Sequence, residues 1–140
     1  MRLARAMVWS CALALGACAA TPPSSAASAP ASLAGSRWVG VVAGGADPHT
    51  LPRLEFVREG RLAGYTGCNM LSGAWKMEGD EVHVGPLVIT KRLCLGPEGE
   101  VEKRFLAALR DGGHGRREGG RLVFTGPQGA RFEFEPAAAT

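Results

Sequence analysis

Short runs in which apolar and polar residues alternate, separated by glycine-rich turns, set the pattern of this chain from Leu33 onward. In "RLEFV" the alternation puts Leu54 and Phe56 on one side, "REGR" reads as a turn, and "LAGYTG" runs back. Trp75 and Met77 share a face, "EGDE" turns, and Val82 and Val84 resume an inner face with His83 pointing outward. "LVIT" is an apolar run from Leu87. Near the end, "GGRLVF" and "ARFEFEP" predict a hairpin around "GPQG", with Phe132 and Phe134 inward and Arg131, Glu133 and Glu135 outward.

A single stretch has helical spacing instead. "GPEGEVEKRFLAALRDGG" offers Pro97 as a first helical residue, Glu98 and Glu100 in the first turn, and Gly112 as a stop. Val101, Phe105, Ala108 and Leu109 form its apolar stripe, which must cover one mouth or one face of a curled sheet. The expected class is α+β: a small antiparallel β-barrel-like sheet with one packed α-helix.

The first residues have a different character. "MRLARAMVWSCALALGAC" has Arg2 and Arg5 ahead of an apolar run from Ala6 to Leu15, too short to span a bilayer but of signal-peptide length. "LGAC", Leu15 to Cys18, resembles a bacterial lipobox, which implies cleavage before Cys18 and lipidation of its sulfur and new amino group. Several acyl chains on one residue anchor a protein durably where one does not. An ordinary secretory signal cut at Ala17 or Ala20 is the alternative. The Ala/Ser/Pro-rich stretch that follows has no charge and too little apolar surface to fold, as expected of a tether. The expected division is 1–17 signal peptide, 18–32 tether, 33–136 folded domain and 137–140 tail. Ala19, rather than aspartate, after the lipid cysteine implies the periplasmic face of the outer membrane in a Gram-negative host.

Composition changes the picture only slightly. The formal charge of +3 falls to about +1 once Arg2 and Arg5 leave with the signal, so no nucleic-acid partner is supported. Cleavage removes Cys11 and lipidation consumes Cys18, which leaves Cys68 and Cys94 of the four cysteines. Metal binding lacks a close-spaced ligand set, since His49, His83 and His114 are scattered, and no cofactor or metal is expected. No motif assembles a base and an orienting acid beside Cys68, Ser72 lacks a nucleophile-elbow pattern, and there is no Cys-x-x-Cys. The chain is therefore expected not to be an enzyme. For an exported domain a Cys68–Cys94 disulfide is favoured, with two buried free thiols as the alternative. Gly64 and Gly67 would allow a bulge or close backbone approach there, and Asn69 a local hydrogen bond or a left-handed turn.

The order of motifs adds a family. Leu33, Gly35 and Trp38; Gly67, Cys68, Asn69, Gly73 and Trp75; Thr90 and Cys94; and Glu102, Phe105 and Leu106 together resemble the META/HslJ-like domain. Trp75 stands where that family more often has tyrosine, and "KRLC" replaces the usual Met-Ala before the second cysteine. The resemblance implies a small β-rich fold with a packed helix, found in bacterial envelope lipoproteins, some linked to heat-shock or stress responses. It implies a likeness to the lipid-binding pilotins of secretion systems and no established catalysis.

Two functions follow as expectations: binding of a lipid or protein in stress tolerance or envelope maintenance, or a pilotin-like adaptor role. A capped barrel can open an apolar groove, with Trp38, Phe56, Trp75 and Phe105 as lining, joined by Leu54, Phe124, Phe132 and Phe134. Core packing is the alternative for each. "HGRREGGR", His114 to Arg121, is expected to be an exposed basic loop available to a partner.

Overall fold

The alternation closes on itself. In the computed structural model, which describes residues 32–138 apart from 45–46 and 59, eight antiparallel strands form a barrel in sequence order, with the last paired to the first. They are β1 (Arg37–Gly40), β2 (Arg53–Arg58), β3 (Arg61–Tyr65), β4 (Met70–Glu78), β5 (Glu81–Ile89), β6 (His114–Glu118), β7 (Arg121–Thr125) and β8 (Arg131–Pro136). The helix α1 (Pro97–Leu109) interrupts the meander between β5 and β6. Closure removes the open edges that a sheet this small would otherwise expose. The proposed signal peptide, Cys18 and the tether before Ser32 lie outside the described residues. Among those described, no helix is long and apolar enough to cross a membrane.

Period-two alternation fills the barrel as expected. Leu54, Phe56, Leu62, Leu71, Trp75, Val82, Leu122, Phe124, Phe132 and Phe134 all point inward and are buried. Their rings meet edge to face, Phe56 with Trp75 at 5.1 Å and Phe124 with Phe134 at 6.0 Å between centroids, the arrangement that aromatic quadrupoles prefer. Trp75 has its polar end satisfied: Nε1 donates to the carbonyls of Arg58 (2.9 Å) and Arg61 (3.1 Å) across the β2–β3 turn.

One end of this barrel is sealed by α1. Gly96, at φ 83°, precedes Pro97, whose fixed φ suits the first turn, and Glu98 and Glu100 face the helix's positive end. The stripe Val101, Phe105, Ala108 and Leu109 enters the core, and Phe105 stacks edge-on against Phe132 (5.5 Å) and Phe134 (5.7 Å). Gly126 in the β7–β8 turn allows the approach, since a Cβ there would stand 2.0 Å from the Ala107 carbonyl oxygen. Asp111 and Gly112, with φ of 57° and 92°, turn the chain out of the helix. Leu33 closes the opposite mouth beside Met77, Val82 and Leu122.

One expectation is corrected. His114–Glu118 is strand β6, paired to both β5 and β7, and the turn to β7 is confined to Gly119 and Gly120. The charged sequence hid it because only Gly115 is buried, where a Cβ would lie 2.7 Å from Val82 and 2.9 Å from the Phe124 ring. Nor is the segment a free basic surface. Arg116 Nε donates to Glu81 (2.8 Å), and the Arg117 guanidinium lies 5.7 Å from the Trp38 ring.

Candidate functional site

Cys68 lies in the β3–β4 turn and Cys94 in the loop from β5 to α1, both at the mouth that α1 covers. Gly67, at φ 101°, permits this turn, and a Cβ there would come within 2.9 Å of the Thr50 carbonyl oxygen. The fold brings the two cysteines to disulfide distance, with Cα atoms 6.2 Å apart, inside the span a disulfide accepts. Cys68 is buried, whereas Cys94 is half-buried in a loop whose neighbours face solvent.

Asn69 organises this mouth. Its Nδ2 donates to the Arg92 carbonyl (3.0 Å), to Glu102 Oε1 (2.9 Å) and to Cys68 Sγ (3.3 Å). Its Oδ1 accepts from the Arg92 N–H (2.7 Å) and the Thr90 hydroxyl (2.9 Å). Thr66, fully buried, accepts from the N–H groups of Cys68 and Asn69 and donates to Glu102 Oε1 at 2.8 Å. The network ties the β3–β4 turn to the β5–α1 loop and to the helix. Asn69 therefore neither adopts a left-handed conformation nor bonds locally through its side-chain oxygen. A loop more than twenty residues away offers it paired backbone groups, and a buried amide takes the partners it can reach.

Beside the network lies an open depression of about 520 Å³, bordered by Leu87, Ile89, Arg92, Leu93, Leu106 and Arg110. Leu93 and Leu95 flank Cys94 with exposures of 84% and 78%. The proposed groove residues are elsewhere. Phe56 and Phe105 are fully buried, and Trp38 and Trp75 almost so, which makes them the packed interior of the barrel. Trp38 also borders a shallow apolar depression on the outer wall, with Val39, Leu54 and Tyr65.

A family model for the META domain matches residues 31–139. The chain belongs to the META domain family. Two solved structures share its fold. One, an NMR structure of a protein from Burkholderia xenovorans, has a TM-score of 0.58 at 20% identity and covers 76% of this chain and 85% of its own. The other, also an NMR structure of a protein, has a TM-score of 0.59 at 20% identity and covers 74% of this chain and 90% of its own. No curated protein matches the chain.

Within the META domain, ion pairs on the barrel wall shift three carboxylates, Glu78, Glu81 and Glu133. A hydrogen bond from Arg116 holds Glu81 below the usual carboxylate range, Lys76 does the same for Glu78, and Arg121 and then Arg131 for Glu133. His83 and His114, scattered in sequence, face each other across β5 and β6 with ring centroids 6.2 Å apart. His83 Nε2 stands 3.3 Å from Glu81 and 3.4 Å from Glu78, at ion-pair distance but outside hydrogen-bond geometry.

Glu102 and Thr66 were not legible as site residues from spacing. Glu102 carried only a family signal, and Thr66 none beyond its place before the Gly-Cys-Asn turn. The expectation of no metal ligands likewise rested on spacing along the chain. Across the fold, one ligand atom each from Cys68, Cys94 and Glu102 lie within 4.8 Å of one another.

Proposed function

We propose that this chain is a non-catalytic envelope lipoprotein, anchored through Cys18, whose META domain binds a lipid or a protein at the α1 mouth in stress tolerance or envelope maintenance. The supporting observation is the apolar loop that carries Leu93 and Leu95. Two exposed leucines on a loop pinned by Asn69 keep their apolar area ordered in water, an arrangement that favours burial by a partner. The packed aromatic interior argues for a ligand held on the surface rather than swallowed by the barrel. Lys91, Arg92 and Arg110 beside the leucines favour a partner with acidic groups, whether a protein segment or a lipid headgroup.

The experiment compares native membrane preparations of the wild type and a Leu93→Asp/Leu95→Asp double variant. Substitution at such exposed sites should change stability by no more than about 0.5 kcal/mol. A protein or lipid that co-purifies stoichiometrically with the wild type and is lost from the double variant supports the reading. Equal recovery from both removes the loop from binding. A stoichiometric secretion or outer-membrane component favours the pilotin-like adaptor. Absence of a lipid mass on the peptide starting at Cys18 removes the anchor.

A further inference from the structure

The polar network at the α1 mouth also arranges a donor set for a metal ion. We propose that, when Cys68 and Cys94 are reduced, the domain binds a zinc-class divalent cation through both sulfurs, the Glu102 carboxylate and the Arg92 carbonyl. Disulfide and metal complex are then mutually exclusive states of one site.

Three observations carry this. The first is spacing. Tetrahedral sites with bonds of roughly 2.0–2.3 Å have donor–donor edges of about 3.3–3.8 Å. The Arg92 carbonyl oxygen stands 3.7 Å from Cys68 Sγ and 3.8 Å from Cys94 Sγ. Glu102 lies within 4.8 Å of both sulfurs, and the sulfurs, bonded to each other here, part on reduction to reach such an edge.

The second is orientation. Ligands are held in place by outer hydrogen bonds, and here those bonds already exist. Asn69 Nδ2 donates to Cys68 Sγ and Glu102 Oε1, and the Thr66 hydroxyl also donates to Glu102 Oε1. The third is charge. None of the ion pairs among the described residues includes Glu102, so this half-buried carboxylate lies beside the sulfurs outside any direct ion pair. The positive end of α1, which begins at Pro97, suits the net negative charge that two thiolates and a carboxylate leave on the complex.

The redox step needs a dithiol reductant. Its two thiols pass two electrons and two protons to the Cys68–Cys94 disulfide, becoming a disulfide while two cysteine thiols form. The incoming cation then displaces one proton from each thiol to solvent. In reverse, an oxidising disulfide takes two electrons from the two thiolates and two protons from solvent and becomes two thiols, while the Cys68–Cys94 bond reforms and the cation is released. The half-buried Cys94 gives the reductant its access.

The test uses the full chain with Cys11→Ser and Cys18→Ser, so that Cys68 and Cys94 are its only thiols. Oxidised and phosphine-reduced samples are titrated with Co(II) and read for the thiolate-to-cobalt charge-transfer band, then challenged with Zn(II). Expected is one equivalent bound by the reduced form, displacement by zinc, and no band in the oxidised form. Glu102→Gln should weaken binding about tenfold or more. Two free thiols in a folded protein with no such band overturn the proposal, as does unchanged affinity in Glu102→Gln. If reduction unfolds the domain, recovery of native circular dichroism on adding zinc supports the site, and no recovery overturns it.

Discussion

Asn69 is almost fully buried, and its amide serves two loops and the helix at once. Truncating it takes the Asn69 amide from the Arg92 N–H and carbonyl and leaves the Glu102 carboxylate with Thr66 alone, and unmatched buried polar groups are costlier than the bonds that satisfied them. Asn69→Ala should therefore destabilise the domain by about 2 kcal/mol, measured from the urea midpoint at constant m-value. A neutral result would mean that water replaces the amide. The residue was singled out in the sequence by its place after Cys68, but its partners were not. Hydrogen bonds to Arg92 and Glu102 depend on where a distant loop and a helix come to rest, and no local pattern encodes that.

At the scale of elements, α1 was the most legible. Its stripe of Val101, Phe105, Ala108 and Leu109 is the set that the structure buries. Proline, the early acids and the terminal glycines are local signals, so they act before any tertiary contact forms. Phe105 is the peg of this element, fully enclosed and in ring contact with β8. Phe105→Ala should cost about 3–5 kcal/mol, checked by denaturant unfolding, with the helix signal in circular dichroism falling if α1 undocks. Strand β6 was the least legible. Its apolar face is a single glycine and its remaining residues are mostly charged, so period-two alternation had nothing to register. Pairing with β5 and β7 makes it a strand, and that is a tertiary cause.

For the whole molecule, ion pairs on the barrel wall contribute to the acid limb of stability. Glu81, Glu78 and Glu133 are held below the usual carboxylate range by hydrogen bonds from Arg116, Lys76 and Arg121 respectively. Each ionises more readily folded than unfolded. Its stabilising contribution is thus present above the usual carboxylate range and is lost as pH falls through the lowered folded value. Stability should decline on acidification from about pH 5 downward, and Glu81→Gln should flatten part of that decline in pH-dependent urea melts. A bond between Cys68 and Cys94 closes a loop of sequence separation 26, worth roughly 3.5 kcal/mol in chain entropy. Reduction without added metal should lower the urea midpoint accordingly, and no change would show that the two sulfurs are unbonded.

What the sequence determined by itself is what local chemistry can express. Alternation specified the strands around Leu54, Val82 and Phe132, helical spacing specified α1, and the ordered motifs specified the family. Tertiary structure decided the rest: that eight strands close into a barrel, that a charged segment completes its wall, and that Trp38, Phe56, Trp75 and Phe105 pack inside it. It also decided that Cys68, Cys94, Arg92 and Glu102, borne on three different segments, converge at one mouth. Those outcomes rest on contacts between residues far apart in the chain, whose positions depend on closure of the whole sheet.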